Sequence, residues 1–250
     1  MYELGLVSIS FRKETPETLV EAVKAAGLSC IEWGSDVHAP WNEEEKLQNI
    51  VRLQQESGIR CCSYGTYFRL GKDDPAEFPG YIRAAKLLGT DILRLWCGVK
   101  GFKEYTPEEL EALYADCRKV AAMAEAEGVT LCMECHNGTV TDWKEGALAL
   151  MQAVDSPAFQ MYWQPNQNRT VEENLAYAKL LAPWTKHLHV FNWKNIDGKT
   201  KKYALAQAVD IWKAYLAQMP GQRALLLEFM PDNRLESLAA EAAALKEIAQ

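Results

Sequence analysis

The run VTLCMECHNG, Val129 to Gly138, places Cys132, Glu134 and His136 at alternate positions. On a β-strand those three side chains share one face. Thiol, carboxylate and imidazole so close together raise the question of a metal site and of which residue holds the ion. Three other apolar runs close in a comparable way. FQMYWQPN alternates Phe159, Met161 and Trp163 with Gln160, Tyr162 and Gln164. KHLHVF sets His189 opposite Leu188 and Val190, and ALLLEF sets Glu228 opposite Leu225, Leu227 and Phe229. Glu134, Gln164, His189 and Glu228 are therefore expected on the polar face at the ends of successive strands. Oxygen ligands with one imidazole suit a single divalent cation, Mn²⁺ or Mg²⁺ before Co²⁺ or Zn²⁺, since no thiolate belongs to the set. Strand position then sorts the opening run. Glu134 is the ligand, His136 lies beyond the strand as a substrate contact, Cys132 fills the interior and Cys135 packs outward.

The elements that must carry these residues alternate along the chain. Strands are expected at Tyr2–Ser10, Leu28–Trp33, Ile59–Tyr64, Asp91–Trp96, Val129–Glu134, Phe159–Gln164, Lys186–Phe191 and Arg223–Glu228. Helices are expected at Pro16–Ala26, Glu43–Ser57, Pro75–Leu88, Pro107–Glu127, Trp143–Val154, Val171–Leu180, Tyr203–Met219 and Arg234–Ile248. Thr15-Pro16 and Thr106-Pro107 read as an N-cap followed by proline at the first helical position. Gly27, Gly58, Gly89 and Gly128 each close a helix before the next strand. Eight strands alternating with eight helices over 250 residues, with no linker, predict one domain, 1–250: an α/β fold, a (β/α)₈ TIM barrel. An open doubly wound sheet is less suitable, because the first strand–helix junction lacks G-x-G-x-x-G. In a barrel, chemistry belongs at the C-terminal ends of the strands.

Composition narrows the function classes. With 48% hydrophobic residues the chain can fill a large core. Its net charge of −7 argues against a partner bound through phosphate-backbone neutralisation, so no nucleic acid is expected. No run is long and apolar enough for a membrane span, and MYELGLVSISFRK lacks the features of a signal peptide, so a cytoplasmic protein without membrane partners is expected. Seven cysteines, with no C-x-x-C, read as buried thiols in a reducing compartment.

From LGLVSISFR at the first strand to LLLEFM at the eighth, the chain resembles the xylose isomerase-like barrel superfamily of sugar (phosphate) isomerases and epimerases. ECHNGTVTD is similar to the family's stretch around its first glutamate, and KHLHVFNW to its seventh strand. The resemblance implies one divalent metal held by Glu134, His189 and Glu228, with Glu134 and Glu228 also serving as acid and base. It further implies a metal chelated by a carbonyl and a neighbouring hydroxyl, proton abstraction between them, and return of the proton through an enediolate. Gln164 departs from the pattern, standing where an aspartate is usual, and Gln167 stands where the family's epimerases carry a substrate-binding histidine. The loss of one negative charge predicts weaker metal binding and a site more tolerant of an anionic substrate.

His38, His136, Trp33, Tyr64, Trp96, Asn166, Trp193 and Lys194 fall at strand ends or in the following loops and are read as substrate contacts. His187 lies deeper and reads as structural. Glu32 and Arg94 share inward parity on alternate strands and predict a buried ion pair. The lysine run Lys194, Lys199, Lys201 and Lys202 reads as a solvated loop, and without a glycine-rich phosphate clamp the expected substrate is an unphosphorylated sugar or polyhydroxy acid. The leading expectation is a metal-dependent isomerase or epimerase of a small sugar-like molecule. A lyase resembling 3-dehydroshikimate dehydratase, with which SISFR is compatible, and a barrel that binds a metabolite without turnover are the alternatives. The endonuclease IV branch, with its multi-zinc cluster and DNA-binding face, does not suit four histidines and this charge. A homo-oligomer is compatible with all of these, and the sequence does not set the subunit count.

Overall fold

The computed structural model describes residues 2–250. Eight parallel strands close on themselves in the order β1, β10, β7, β6, β5, β4, β3, β2. These are β1 (Glu3–Val7), β2 (Cys30–Gly34), β3 (Arg60–Leu70), β4 (Ile92–Cys97), β5 (Thr130–Glu134), β6 (Phe159–Trp163), β7 (Thr185–Val190) and β10 (Ala224–Leu227). Closure is direct, with Leu4 paired to Leu225 and Gly5 to both Leu226 and Cys30. The helices are α1 (Pro16–Ala25), α2 (Glu44–Ser57), α3 (Phe78–Leu88), α4 (Pro107–Ala126), α5 (Lys144–Val154), α6 (Val171–Leu181), α7 (Val209–Gln218) and α8 (Leu238–Ile248). The chain is thus a (β/α)₈ TIM barrel, as the alternation of elements predicts.

Local chemistry sets the helix ends. Thr15, Thr106 and Thr170 each accept a backbone N–H from the first turn, and Thr106 and Thr170 complete capping boxes with Glu109 and Glu173. Gly58 and Gly89 adopt the left-handed conformation at the ends of α2 and α3, which residues with a Cβ reach at a cost. Parity then divides two cores. Leu131, Met133, Met161, Trp163, Leu188 and Leu225 face the helices, whereas Cys30, Cys62, Cys132, Tyr162 and Leu226 fill the barrel interior. Cys132 and Cys135 accordingly take the inner and outer places read for them.

Three departures alter the site. First, β1 ends at Val7 instead of Ser10, and Ser8–Phe11 form a 3-10 turn that bends the chain over the barrel mouth. Second, β3 runs on to Leu70, six residues past the expected end at Tyr64, through an irregular stretch in which Tyr67 has φ 57°. Third, the lysine run is no simple loop. Trp193–Ile196 (β8) and Lys199–Lys202 (β9) pair as an antiparallel hairpin turned at Asp197-Gly198, both at positive φ. Among the described residues, no helix is long and apolar enough to cross a membrane.

Candidate active site

Glu134 closes β5, His189 lies near the end of β7, and Gln164 and Glu228 follow β6 and β10 by one residue. All four are buried, and the barrel brings them together around one nitrogen. His189 Nδ1 lies 3.1 Å from Gln164 Oε1, 3.6 Å from Glu134 Oε1 and 3.7 Å from Glu228 Oε2. Gln164 is aimed by its own amide, whose Nε2 donates to the Cys135 carbonyl at 2.8 Å.

Behind this cluster the expected Glu32–Arg94 ion pair is present and fully buried, with Arg94 Nε donating to Glu32 Oε1 at 3.0 Å. The guanidinium also reaches across to Glu134, donating from Nη1 to Oε2 at 2.6 Å, and the Trp96 indole N–H binds the same oxygen at 2.7 Å. Arg94 thus joins Glu32 and Glu134 through one guanidinium, a second arm that strand parity alone does not show. Glu134 therefore has one oxygen bound twice and the other facing His189.

The electrostatics follow from these contacts. Burial alone would raise the Glu134 carboxyl, but the Arg94 charge and His189 outweigh it and hold it well below the usual carboxylate range. Glu228 has no such partner: its Oε2 is buried without a hydrogen bond. Burial, opposed by His189 and reinforced by the Glu134 charge, pushes it up to about 7. Burial would depress His189, yet the carboxylates of Glu228 and Glu32 raise it to about 10. Two carboxylates of the same chemistry are thus driven apart by their surroundings.

Glu134, His189 and Glu228 offer ligand atoms all within 4.8 Å of one another, and Gln164 Oε1 faces the same point. The unpaired Glu228 oxygen and the crowding of three oxygens around one imidazole nitrogen fit a bound cation. A cavity of about 260 Å³ opens above these residues. Trp96, His136 and Trp193 line it, as read from the sequence, together with Ile9, Arg12, Tyr67 and Phe229.

The remaining expected contacts lie elsewhere. Trp33 and Tyr64 point outward because Glu32 and Ser63 point inward; Trp33 Nε1 donates to Gln54 Oε1, and the Tyr64 hydroxyl to the Ala39 carbonyl. Both are core residues, so their reading as substrate contacts is corrected. His38 is corrected too. It is buried, its ring nitrogens contact Ser8 Oγ and the Glu14 carbonyl at 3.1 Å, and burial lowers its pKa. Lys194 borders a separate hollow of about 310 Å³ between the hairpin, α6 and α7, and Asn166 lines both that hollow and a small one shared with His136, Gln164 and Trp193. His187 is structural as expected, its Nδ1 accepting the Ala224 N–H.

Residues 20–247 match the profile of the xylose isomerase-like TIM barrel family. The chain belongs to that family. No curated protein is significantly similar in sequence. Solved structures share the fold at low identity. The IOLI protein with a bound zinc atom superposes with a TM-score of 0.79 at 16% identity, over 99% of this chain and 96% of that one. The probable 3-DHS dehydratase AsbF of Bacillus anthracis gives 0.77 at 17%, over 98% and 99%. D-psicose 3-epimerase of Clostridium cellulolyticum H10, solved with D-tagatose, gives 0.72 at 13%, over 99% and 98%. Family membership settles the barrel. The particular reaction rests on this chain's own residues.

Parity could not reveal Tyr67 and Arg12. Tyr67 reaches the cavity because the left-handed turn in β3 redirects it, and Arg12 because the 3-10 turn folds inward. Arg12 pairs with Asp36 and donates to the Tyr67 hydroxyl at 2.7 Å, while the Tyr67 ring packs edge-on to Trp96. The sequence signal nearest to them is SISFR, which ends on Arg12 itself.

Proposed function

We propose that the chain is a metal-dependent enzyme that removes a proton next to a carbonyl in a small polyhydroxylated substrate, with Glu228 as the base. The observation that carries this is the contrast between the glutamates: Glu228 Oε2 is unpaired at the cavity, and Glu134 Oε2 is held by Arg94 and Trp96. A divalent ion held by Glu134, His189 and Glu228, with Gln164 beside them, would supply Lewis acidity to a carbonyl and its neighbouring hydroxyl. Arg94 keeps Glu134 anionic, and Trp96 and Trp193 wall the substrate from water.

Two endings share this first step. In an isomerase or epimerase the proton returns, to the adjacent carbon or the opposite face. In a dehydratase a neighbouring hydroxyl leaves as water after accepting a proton. The pinning of Glu134 favours the second ending, because the Arg94 charge and the Trp96 N–H hold it as an anion, and returning a proton would need its acid form. In this reading His136, which lines the cavity beside Trp96, protonates the departing hydroxyl. The neutral amide of Gln164, in place of a further carboxylate, supports a substrate bearing an acid group.

The test is incubation in D₂O with Mn²⁺ and two substrate panels, neutral ketoses and hydroxy-keto acids. Formation of a conjugated product with loss of water supports elimination. Deuterium in recovered or isomerised ketose, without dehydration, supports proton return. Glu228→Gln should lower either activity by about 10²- to 10⁴-fold. The absence of both exchange and dehydration with every compound of the two panels would overturn the proposal.

A further inference from the structure

We infer that Glu32, on β2 and outside the set facing the cavity, is a positioning residue that fixes the His189 tautomer and thereby sets the affinity of the site for its metal. The inference rests on the reading of Glu134, His189 and Glu228 as metal ligands. Glu32 is fully buried and both its oxygens are engaged. Oε2 accepts the Ser63 hydroxyl at 2.7 Å, and that hydroxyl in turn contacts the Tyr162 hydroxyl at 3.0 Å. Oε1 accepts from Arg94 at 3.0 Å and lies 3.5 Å from His189 Nε2.

Nε2 is buried, and the Glu32 carboxylate 3.5 Å away is the charge beside it, so when a cation displaces one of the two ring protons Glu32 decides which proton stays. The opposite nitrogen, Nδ1, is surrounded by the oxygens of Gln164, Glu134 and Glu228. With the proton on Nε2, toward Glu32, the Nδ1 lone pair is presented to those oxygens, an arrangement favourable only with a cation among them. With the proton on Nδ1 the ring donates to Gln164 Oε1 and the nitrogen is lost as a ligand. A carboxylate behind a metal-binding histidine selects the first state and makes the imidazole a stronger donor. Mere neutralisation of Arg94 would not need this placement, since Glu134 already bonds the guanidinium. By sharing one oxygen between Arg94 and His189, Glu32 ties the aim of the β5 ligand to that of the β7 ligand.

Two readouts test this without turnover. Co²⁺ titration followed by d–d absorption gives metal affinity, and ¹⁵N-resolved imidazole spectra of the Zn²⁺-loaded protein give the His189 tautomer. Wild type should bind both ions with His189 protonated on Nε2. Glu32→Gln should weaken Co²⁺ binding by about 10- to 100-fold and disturb the tautomer signature. Ser63→Ala, which frees Glu32 without changing charge, should give a smaller loss in the same direction. A folded Glu32→Gln protein with wild-type affinity and tautomer would overturn the inference; should that variant not fold, unchanged affinity in Ser63→Ala would overturn it equally. Failure of the wild type itself to bind Co²⁺ or Mn²⁺ would instead remove the metal reading, and the inference with it.

Discussion

Gln164 shows how one atom type sets the charge of the whole site. Around His189 stand the carboxylates of Glu32, Glu134 and Glu228, offset by Arg94. An aspartate at 164 would add a fourth carboxylate, and the amide avoids that while still presenting an oxygen. Gln164→Asp should therefore tighten Mn²⁺ binding by about tenfold, some 1.4 kcal/mol, as measured by calorimetric titration. The same change should lower the stability of the metal-free protein, because it adds repulsion and removes the donor that Gln164 gives to the Cys135 carbonyl. A Gln164→Asp protein with unchanged Mn²⁺ affinity would show that charge is not what limits the site. The places of Glu134, Gln164, His189 and Glu228 were readable from alternation because each sits on or just past the end of a strand. The tuning was not readable: nothing in the spacing of Glu134 and Glu228 says that Arg94 and Trp96 hold only the first.

At the level of elements, the alternation argument works where strands are regular and fails where they bend. β5 and β10 pair without a register shift, and the shift between β6 and β7 falls at Met161/Tyr162, before the site, so Glu134, His189 and Glu228 could be placed by counting. In β3 the register shifts between Gly65 and Arg69, and counting put Tyr64 at the site when Tyr67 is the residue that arrives. The same strand contributes a glycine whose importance is steric. A Cβ on Gly65 would lie 2.7 Å from Arg94 Nη2 and 2.9 Å from Glu32 Oε1, inside the buried ion pair. Gly65→Ala should thus cost about 1–3 kcal/mol of stability, as for other overpacked cores. It should also weaken metal binding, since displaced Arg94 no longer pins Glu134. Denaturant unfolding and Co²⁺ titration measure the two effects; an alanine variant as stable as wild type would mean that the guanidinium shifts freely, against the tight network described. The β8–β9 hairpin was hidden for another reason. Its strands are short and rich in lysine, and their pairing depends on the left-handed Asp197-Gly198 turn, not on an apolar face.

For the whole molecule, the proposed ligands sit on β5 and β7 and just past β6 and β10, so a bound ion would link four neighbouring strands across the barrel mouth. An ion that binds only the closed barrel stabilises it by mass action, by about 2.7 kcal/mol at a hundredfold excess over Kd. For a chain of this size each kcal/mol moves Tm by about 2–4 °C, so saturating Mn²⁺ should raise Tm by roughly 5–10 °C over the chelator-treated protein. His189→Gln should abolish most of that shift, and so should Glu134→Gln, although each comes from a different strand. The long-range character of the effect is what matters. If the ion were held on the surface by one loop, its removal would leave the melting of the barrel unchanged, and variants on β5 and β7 would not have the same effect. A chelator-insensitive Tm in scanning calorimetry would therefore separate a peripheral ion, or none, from one that closes the mouth.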